Sequence, residues 1–386
     1  MKRVICLLLP WLLLLAACSN DTRAARTGLA DSFVSLLSRL DPGSDMVVLV
    51  DLAGMAKLLN ESLDEIEKAP LVAKNPALLQ MWKMQRTTLD TLLASAKASA
   101  GIDPLKDLDR AVVGVRLRQN AAPGMVMAVS GKFPPDLPGK LEPRSVKKSM
   151  GGRDVWEAPD GTGMAVVGGN LLLFAPLAEY PALLKAKHDP KSLLKRHPDL
   201  LTSMEPGLLL RFSMSVPDWL RSMLPEDQAG VSTLKGLGHV EIDVGNGLRF
   251  RARAINDRAA ENVRYFAEGW KELMLGGRNL MRAYLFFAMG LELQHLPGMP
   301  PQFAGVFENR QAIMETMDAW MGEYPVSPKV VLKDRVVTLT APKQALIGNV
   351  FVFGILAAIA IPAFIQYTRR AEAAAAEAAK APRQKY

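Results

Sequence analysis

Between Leu346 and Thr368 the chain carries no charged residue, and its only strongly polar side chains there are Asn349 and Gln366. About 20 such residues, each rising 1.5 Å, cover the roughly 30 Å hydrocarbon core of a bilayer. Tyr367 adds an interfacial aromatic ring, and Arg369 and Arg370 close the run with charge. The sequence therefore predicts a transmembrane helix over residues 345–368 and a basic, alanine-rich tail over residues 369–386. No other feature restricts the chain as strongly, because everything before it must fold beside a membrane.

The opposite end carries a second apolar run. Lys2 and Arg3 precede Leu7 to Leu15, which is broken only by Pro10. That run is too short to span a bilayer comfortably but suits the core of an export signal. It closes on Leu15-Ala16-Ala17-Cys18, where small residues let the chain enter a peptidase in extended form. These four positions resemble the lipobox of bacterial lipoproteins. The resemblance implies a signal peptide over residues 1–17, acylation of the Cys18 thiol, and a lipidated tether with a short helix over residues 18–40. It also implies a cell-envelope protein with its body on the periplasmic side. The apolar C-terminal run points to anchoring in the inner membrane, and Ser19 after Cys18 leaves outer-membrane sorting of the lipid open.

A second resemblance lies within the C-terminal run. Gly354-Ile355-Leu356-Ala357-Ala358-Ile359-Ala360-Ile361-Pro362-Ala363-Phe364, followed by Tyr367 and Arg370-Ala371, is similar to the second half of the N-terminal helix of type IV pilins. The first half departs from that family. Counting back from Pro362, the family's cleavage glycine and first phenylalanine fall at Thr340 and Ala341, and its glutamate falls at Ala345. The resemblance thus implies lateral packing against other membrane helices, not processing by a prepilin peptidase. Gly354, Ala358 and Pro362 repeat every four residues and leave one smooth face for such packing. With Cys18 lipidated outside the cytoplasm, this helix runs inward, opposite to a pilin. The basic residues Arg369, Arg370, Lys380, Arg383 and Lys385 fit that direction, since cytoplasmic flanks favour positive charge.

Composition narrows the chemistry of the body. Of the net charge of +8, two units belong to the leader and three to the tail, which leaves the body mildly basic. With 6% aromatics and no interleaving of basic and aromatic residues, nothing recommends nucleic acid as a partner. The two cysteines are Cys6 and Cys18, so a body cleaved before Cys18 has no free thiol. Thiolate catalysis, Cys-ligated zinc and iron–sulfur clusters are excluded on that basis. His188, His197, His239 and His295 lack metal-ligand spacing. His188 and His197 flank a basic stretch with Lys191, Lys195 and Arg196, which reads as a solvated helix face. Ser145-Val146-Lys147-Lys148 and Ser192-Leu193-Leu194-Lys195 match S-x-x-K, but the companion S-D-N and K-T-G motifs of serine–lysine enzymes are absent. No catalytic residue, metal or cofactor is expected. The methionines at 81, 84, 274, 281, 289, 314, 317 and 321 read as core filler.

Periodicity gives an α+β fold. Met46 to Val50 reads as a buried strand followed by a helix. Ala111–Arg118 and Met125–Phe133 form a hairpin, and further strands run to Phe174 around turns at Asp160-Gly161 and Gly168-Gly169-Asn170. Helices over 178–186 and 190–204 follow. A weaker copy of the pattern then begins with a strand at 207–214, a helix at 216–224, and a hairpin across Gly245-Asn246-Gly247. Helices at 258–275, 277–295 and 308–322 precede last strands at 329–339. The expectation is two tandem related α+β units over 41–205 and 206–342, with antiparallel sheets and packed helices, plus one C-terminal transmembrane helix. The functional expectation is a non-enzymatic envelope lipoprotein that positions partners, with a pilus or type II secretion-like apparatus as the foremost candidate. Its alternatives are a module binding a lipid, glycan or peptide, and an envelope hydrolase with a dispersed site.

The lipobox yields a direct expectation. Mass spectrometry of the mature N-terminus should find an acylated Cys18, and Cys18→Ala should change both gel mobility and membrane fractionation. A mature N-terminus elsewhere contradicts it.

Overall fold

The computed structural model describes residues 29–342, apart from 69, 74–75, 120, 122, 186–187, 202–206, 224–232, 234, 246 and 291–327. The leader, Cys18, the C-terminal apolar run and the predicted helix at 308–322 therefore lie outside the described residues.

The strands are β1 (Met46–Asp51), β2 (Leu108–Arg116), β3 (Gly124–Gly131), β4 (Val146–Met150), β5 (Arg153–Glu157) and β6 (Thr162–Val167). They continue with β7 (Leu171–Pro176), β8 (Leu210–Ser215), β9 (Leu237–Val244), β10 (Gly247–Ala254), β11 (Lys329–Lys333) and β12 (Val336–Pro342). All join one 12-stranded sheet in the order β11-β12-β10-β9-β8-β1-β2-β3-β7-β6-β5-β4. Its ladders are antiparallel throughout. This differs from the expectation of separate sheets. The strand read as the start of the second unit, β8, hydrogen-bonds to β1, the first strand among the described residues, with Val48 opposite Phe212. Moving out from that ladder, β2, β3, β7 and β6 follow on one side and β9, β10, β12 and β11 on the other.

Successive residues of a strand point to opposite faces, so the registers decide what each face presents. On the first half, one face carries Val47, Leu49, Val112, Val126, Ala128, Ala165 and Leu173. Phe33, Leu36 and Leu37 of α1 (Leu29–Leu37) pack there, with Tyr180 and Leu183 of α6 (Tyr180–Lys185) and Leu193 of α7 (Pro190–Arg196). The Tyr180 hydroxyl, fully buried, donates to the Leu173 carbonyl at 2.7 Å, which gives its one polar atom a partner. The other face carries Ala111, Val129, Met164, Leu172 and Phe174 against Ala100 of α4 (Pro76–Ala100) and Leu137 of α5 (Leu137–Leu141).

On the second half, that other face presents Val244, Leu248, Phe250, Ala252, Val337, Leu339 and Ala341. Met55 and Leu58 of α2 (Leu52–Lys68) and Val263 and Ala267 of α9 (Asp257–Gly290) cover it. The remaining described helices are α3 (Pro70–Ala73) and α8 (Asp218–Met223).

Several local expectations are corrected. The helices placed at 258–275 and 277–295 form a single helix as far as Gly290, carried across Gly276 and Gly277. A glycine in a helix costs only about 1 kcal/mol, so the pair need not break it. Helix α7 stops at Arg196, where His197 caps it in a non-helical conformation. Met84, read as core filler, is 65% exposed on α4. Strand β4 is a further difference: its residues are almost all exposed and carry no alternation that would mark a strand.

Candidate functional site

The face of the second half that no apolar cluster covers among the described residues is charged. On β8 it shows Arg211, Ser213 and Ser215; opposite them on β9 stand Asp243, Glu241 and His239. Next on β10 come Arg249, Arg251 and Arg253, in register with those three. On β12 the same rows give Thr340, Thr338 and Val336, and on the edge strand β11 they give Lys329, Val331 and Lys333. The alternation of charged and apolar residues in His239-Val-Glu-Ile-Asp243 and Arg249-Phe-Arg-Ala-Arg253 is what splits these strands into two unlike faces.

Arg211 is the innermost member, 1% exposed. Its Nε and Nη2 donate to the two Asp243 carboxylate oxygens at 2.6 and 2.9 Å, a bidentate pair. Its Nη1 donates to the carbonyls of Asp199 and Leu200 at 3.0 and 2.9 Å. Arg249 adds two donors to Asp243 Oδ2, at 2.9 and 2.5 Å. Arg251 donates to Glu241 Oε2 at 3.1 Å and pairs with the Asp199 carboxylate at 3.2 Å. Three guanidinium groups thus meet three carboxylates. Arg253 stands opposite His239 instead of an acid and has no acidic partner among the described residues.

Beside this network runs a chain of hydrogen-bonded side chains. His197 Nε2 lies 3.0 Å from the Ser44 carbonyl, so that nitrogen carries the proton and donates it. His197 Nδ1 then accepts from Ser213 Oγ at 2.9 Å, and Ser213 Oγ accepts from His239 Nε2 at 3.1 Å. Burial pushes the His197 pKa down to about 4, aided by the nearby His239 and Arg196 and opposed by the Ser44 hydrogen bond. His197 is therefore neutral at ordinary pH. Arg196 reaches the Asp45 carboxylate at 2.9 Å, and Asp45 Oδ2 accepts from the Leu117 amide at 2.8 Å.

Residues 196–200 form a polar strap from these contacts. Arg196 and His197 bind the Ser44-Asp45 corner ahead of β1, while His197, Asp199 and Leu200 bind β8 and β10. The strap leaves α7, which packs on the first half of the sheet, and fastens onto the second half. The reading of His197 as part of a solvated face is thus corrected: it is completely buried. Lys191 and Lys195 remain exposed, as expected.

The other sequence candidates are not brought together here. Ser213 and His197 make a hydroxyl–imidazole contact, but both are 0% exposed, so their atoms meet no substrate. Ser145 Oγ is buried, and Lys148 pairs with Glu157. Ser192 and Lys195 sit exposed on α7. Among the described residues no group of three His, Cys, Asp or Glu is placed to hold a metal, and no helix is long and apolar enough to cross a membrane. Cys18, Gly354, Ala358, Pro362, Arg369 and Arg370 lie outside the described residues. No family model, curated protein or solved structure matches this chain.

His197 gives the strap a pH dependence. Its folded-state pKa lies below the ordinary 6.5. The unfolded chain therefore takes up a proton first as pH falls. Its contribution is complete above pH 6.5 and declines by about 1.4 kcal/mol per pH unit towards pH 4. In denaturant titrations, the stability gap between the native chain and His197→Gln should shrink over that window. A gap independent of pH between 7.5 and 4.5 refutes the account.

Proposed function

We propose that this chain is an envelope lipoprotein held at both ends, by acyl chains on Cys18 and by a membrane helix over residues 345–368. Its sheet serves as a rigid, non-enzymatic platform that binds or positions a partner on the periplasmic side. The two parts of the body, 41–205 and 206–342, are related units that arose by duplication. The mirrored strand order about the β1–β8 ladder supports that relation.

The observation that carries the platform reading is the unequal covering of the sheet. Helices pack on both faces of its first half. On the second half, an apolar cluster covers one face while charged rows line the other, with Arg249 and Arg251 partly exposed and Arg253 exposed. Buried charge in this network is neutralised within the chain, whereas the outer cations remain for a partner. For the membrane helix, the small-residue face at Gly354, Ala358 and Pro362 would take a helix of a pilus or secretion-type assembly.

Topology tests the double anchoring. In intact spheroplasts, a single cysteine at Gln384 should resist an impermeant thiol reagent and react only after lysis. Assembly subunits should co-purify with the detergent-extracted chain and be lost when Gly354 and Ala358 are replaced by Leu. Labelling of the intact spheroplasts places the tail outside and overturns the reading.

A further inference from the structure

We propose that the outer part of the charged face, formed by Arg253 on β10 with Lys329 and Lys333 on β11, docks onto the phosphate-bearing headgroups of an anionic bilayer. The inference rests on the reading of residues 345–368 as a membrane helix, and adds to it which surface of the body meets the lipid.

The first ground is charge. Lys329 and Lys333 are exposed, as is Arg253, and none has an acidic partner among the described residues. Along the rows, Arg253 and Lys333 flank Val336, while Arg249 and Lys329 flank Thr340. Adjacent strands lie about 4.8 Å apart, so Arg253 and Lys333 straddle roughly 10 Å, and their long side chains can converge on one anionic oxygen cluster, whereas Arg249 is held by Asp243. The hydroxyls of Thr338 and Thr340 occupy the same face between them. The acid nearest in sequence is Asp334 in the β11–β12 turn, and its neighbour Arg335 is bound to Asp257 at 2.7 Å.

The second ground is the path of the chain. β12 ends at Pro342, and only residues 343–345 separate it from the apolar run. Three extended residues reach about 10 Å, so the end of β12 sits at the bilayer surface. β12 lies between β10 and β11. Lys329 lies beside the Pro342 end of that strand, while Arg253 and Lys333 flank its Val336 end, so the three cations meet the headgroups together when β12 lies along the bilayer surface.

Edge strands often carry lysine to discourage pairing with a neighbouring chain. That reason covers Lys329 and Lys333. It does not cover Arg253, which stands on an interior strand.

The full-length protein, reconstituted in nanodiscs, provides the test. A water-soluble amine reagent is applied in phosphatidylcholine alone and in a mixture with phosphatidylglycerol. Peptide mass spectrometry reads Lys329 and Lys333 against Lys147 on the far edge strand. Each cation near an anionic surface corresponds to about a fivefold change in local binding. Labelling of Lys329 and Lys333 relative to Lys147 should therefore fall about fivefold or more in the anionic discs. Arg253→Glu, at an exposed position, should weaken that protection while leaving the melting temperature unchanged. Equal labelling ratios in both lipids, with the protein still resistant to alkaline carbonate, overturn the docking surface and leave the membrane helix standing. Extraction by carbonate overturns both. Equal protection by inorganic phosphate in phosphatidylcholine discs also overturns the proposal, because the site would then take free phosphate.

Discussion

A guanidinium taken almost wholly out of water is tolerable only where its donors are met, and Arg211 meets that condition from two directions. Asp243 on the neighbouring strand takes Nε and Nη2, and the carbonyls of Asp199 and Leu200 take Nη1. Breaking such a pair leaves a buried charge uncompensated, at a typical cost of about 3–5 kcal/mol. The geometry of Arg211 therefore holds the strap over residues 196–200 against β8. The strap in turn carries His197 into the gap between Ser44 and Ser213. Thus α7, which packs on the first half of the sheet, stays fastened to the strands of the second half.

The same ladder shapes the sheet's two halves. In the first, Val47 and Leu49 face a cluster completed by α1, α6 and α7. In the second, the residues occupying that face are Arg211, Asp243, Glu241, Arg249 and Arg251, which an apolar helix cannot cover without stranding their charges. Apolar burial is satisfied on the opposite face by α9 and α2. One exposed polar face on an antiparallel sheet is physically ordinary. Its significance here comes from the imbalance at its outer columns, where Arg253, Lys329 and Lys333 lack partners among the described residues.

Much of the local structure is legible in the sequence because local chemistry determines it. Met46 to Val50 is apolar throughout because β1 stands near the middle of the sheet. Asp160-Gly161 marks the turn between β5 and β6, Gly245 and Gly247 border the turn between β9 and β10, and Asp189 before Pro190 caps α7, accepting from the Lys191 amide. The single sheet was not legible, because the β1–β8 ladder joins residues far apart in sequence and leaves no local trace. His197 beside Lys195 and Arg196 has the sequence environment of a surface residue. Its burial depends on Ser213, which only the fold brings near. The charged face was partly readable: alternating charges on both strands of the β9–β10 hairpin already imply one polar face. Which cations would be left unpaired depended on register.

The strap and the β1–β8 ladder together make the two halves of the sheet one cooperative unit. Native-state hydrogen exchange of the ladder amides in Val47–Val50 and Arg211–Met214 tests this most directly. The account predicts that they exchange only through global unfolding, with the same denaturant dependence as the β9 and β3 amides. Exchange of the ladder amides through a lower-energy opening, while β3 and β9 remain protected, would mean two separable domains and contradict it.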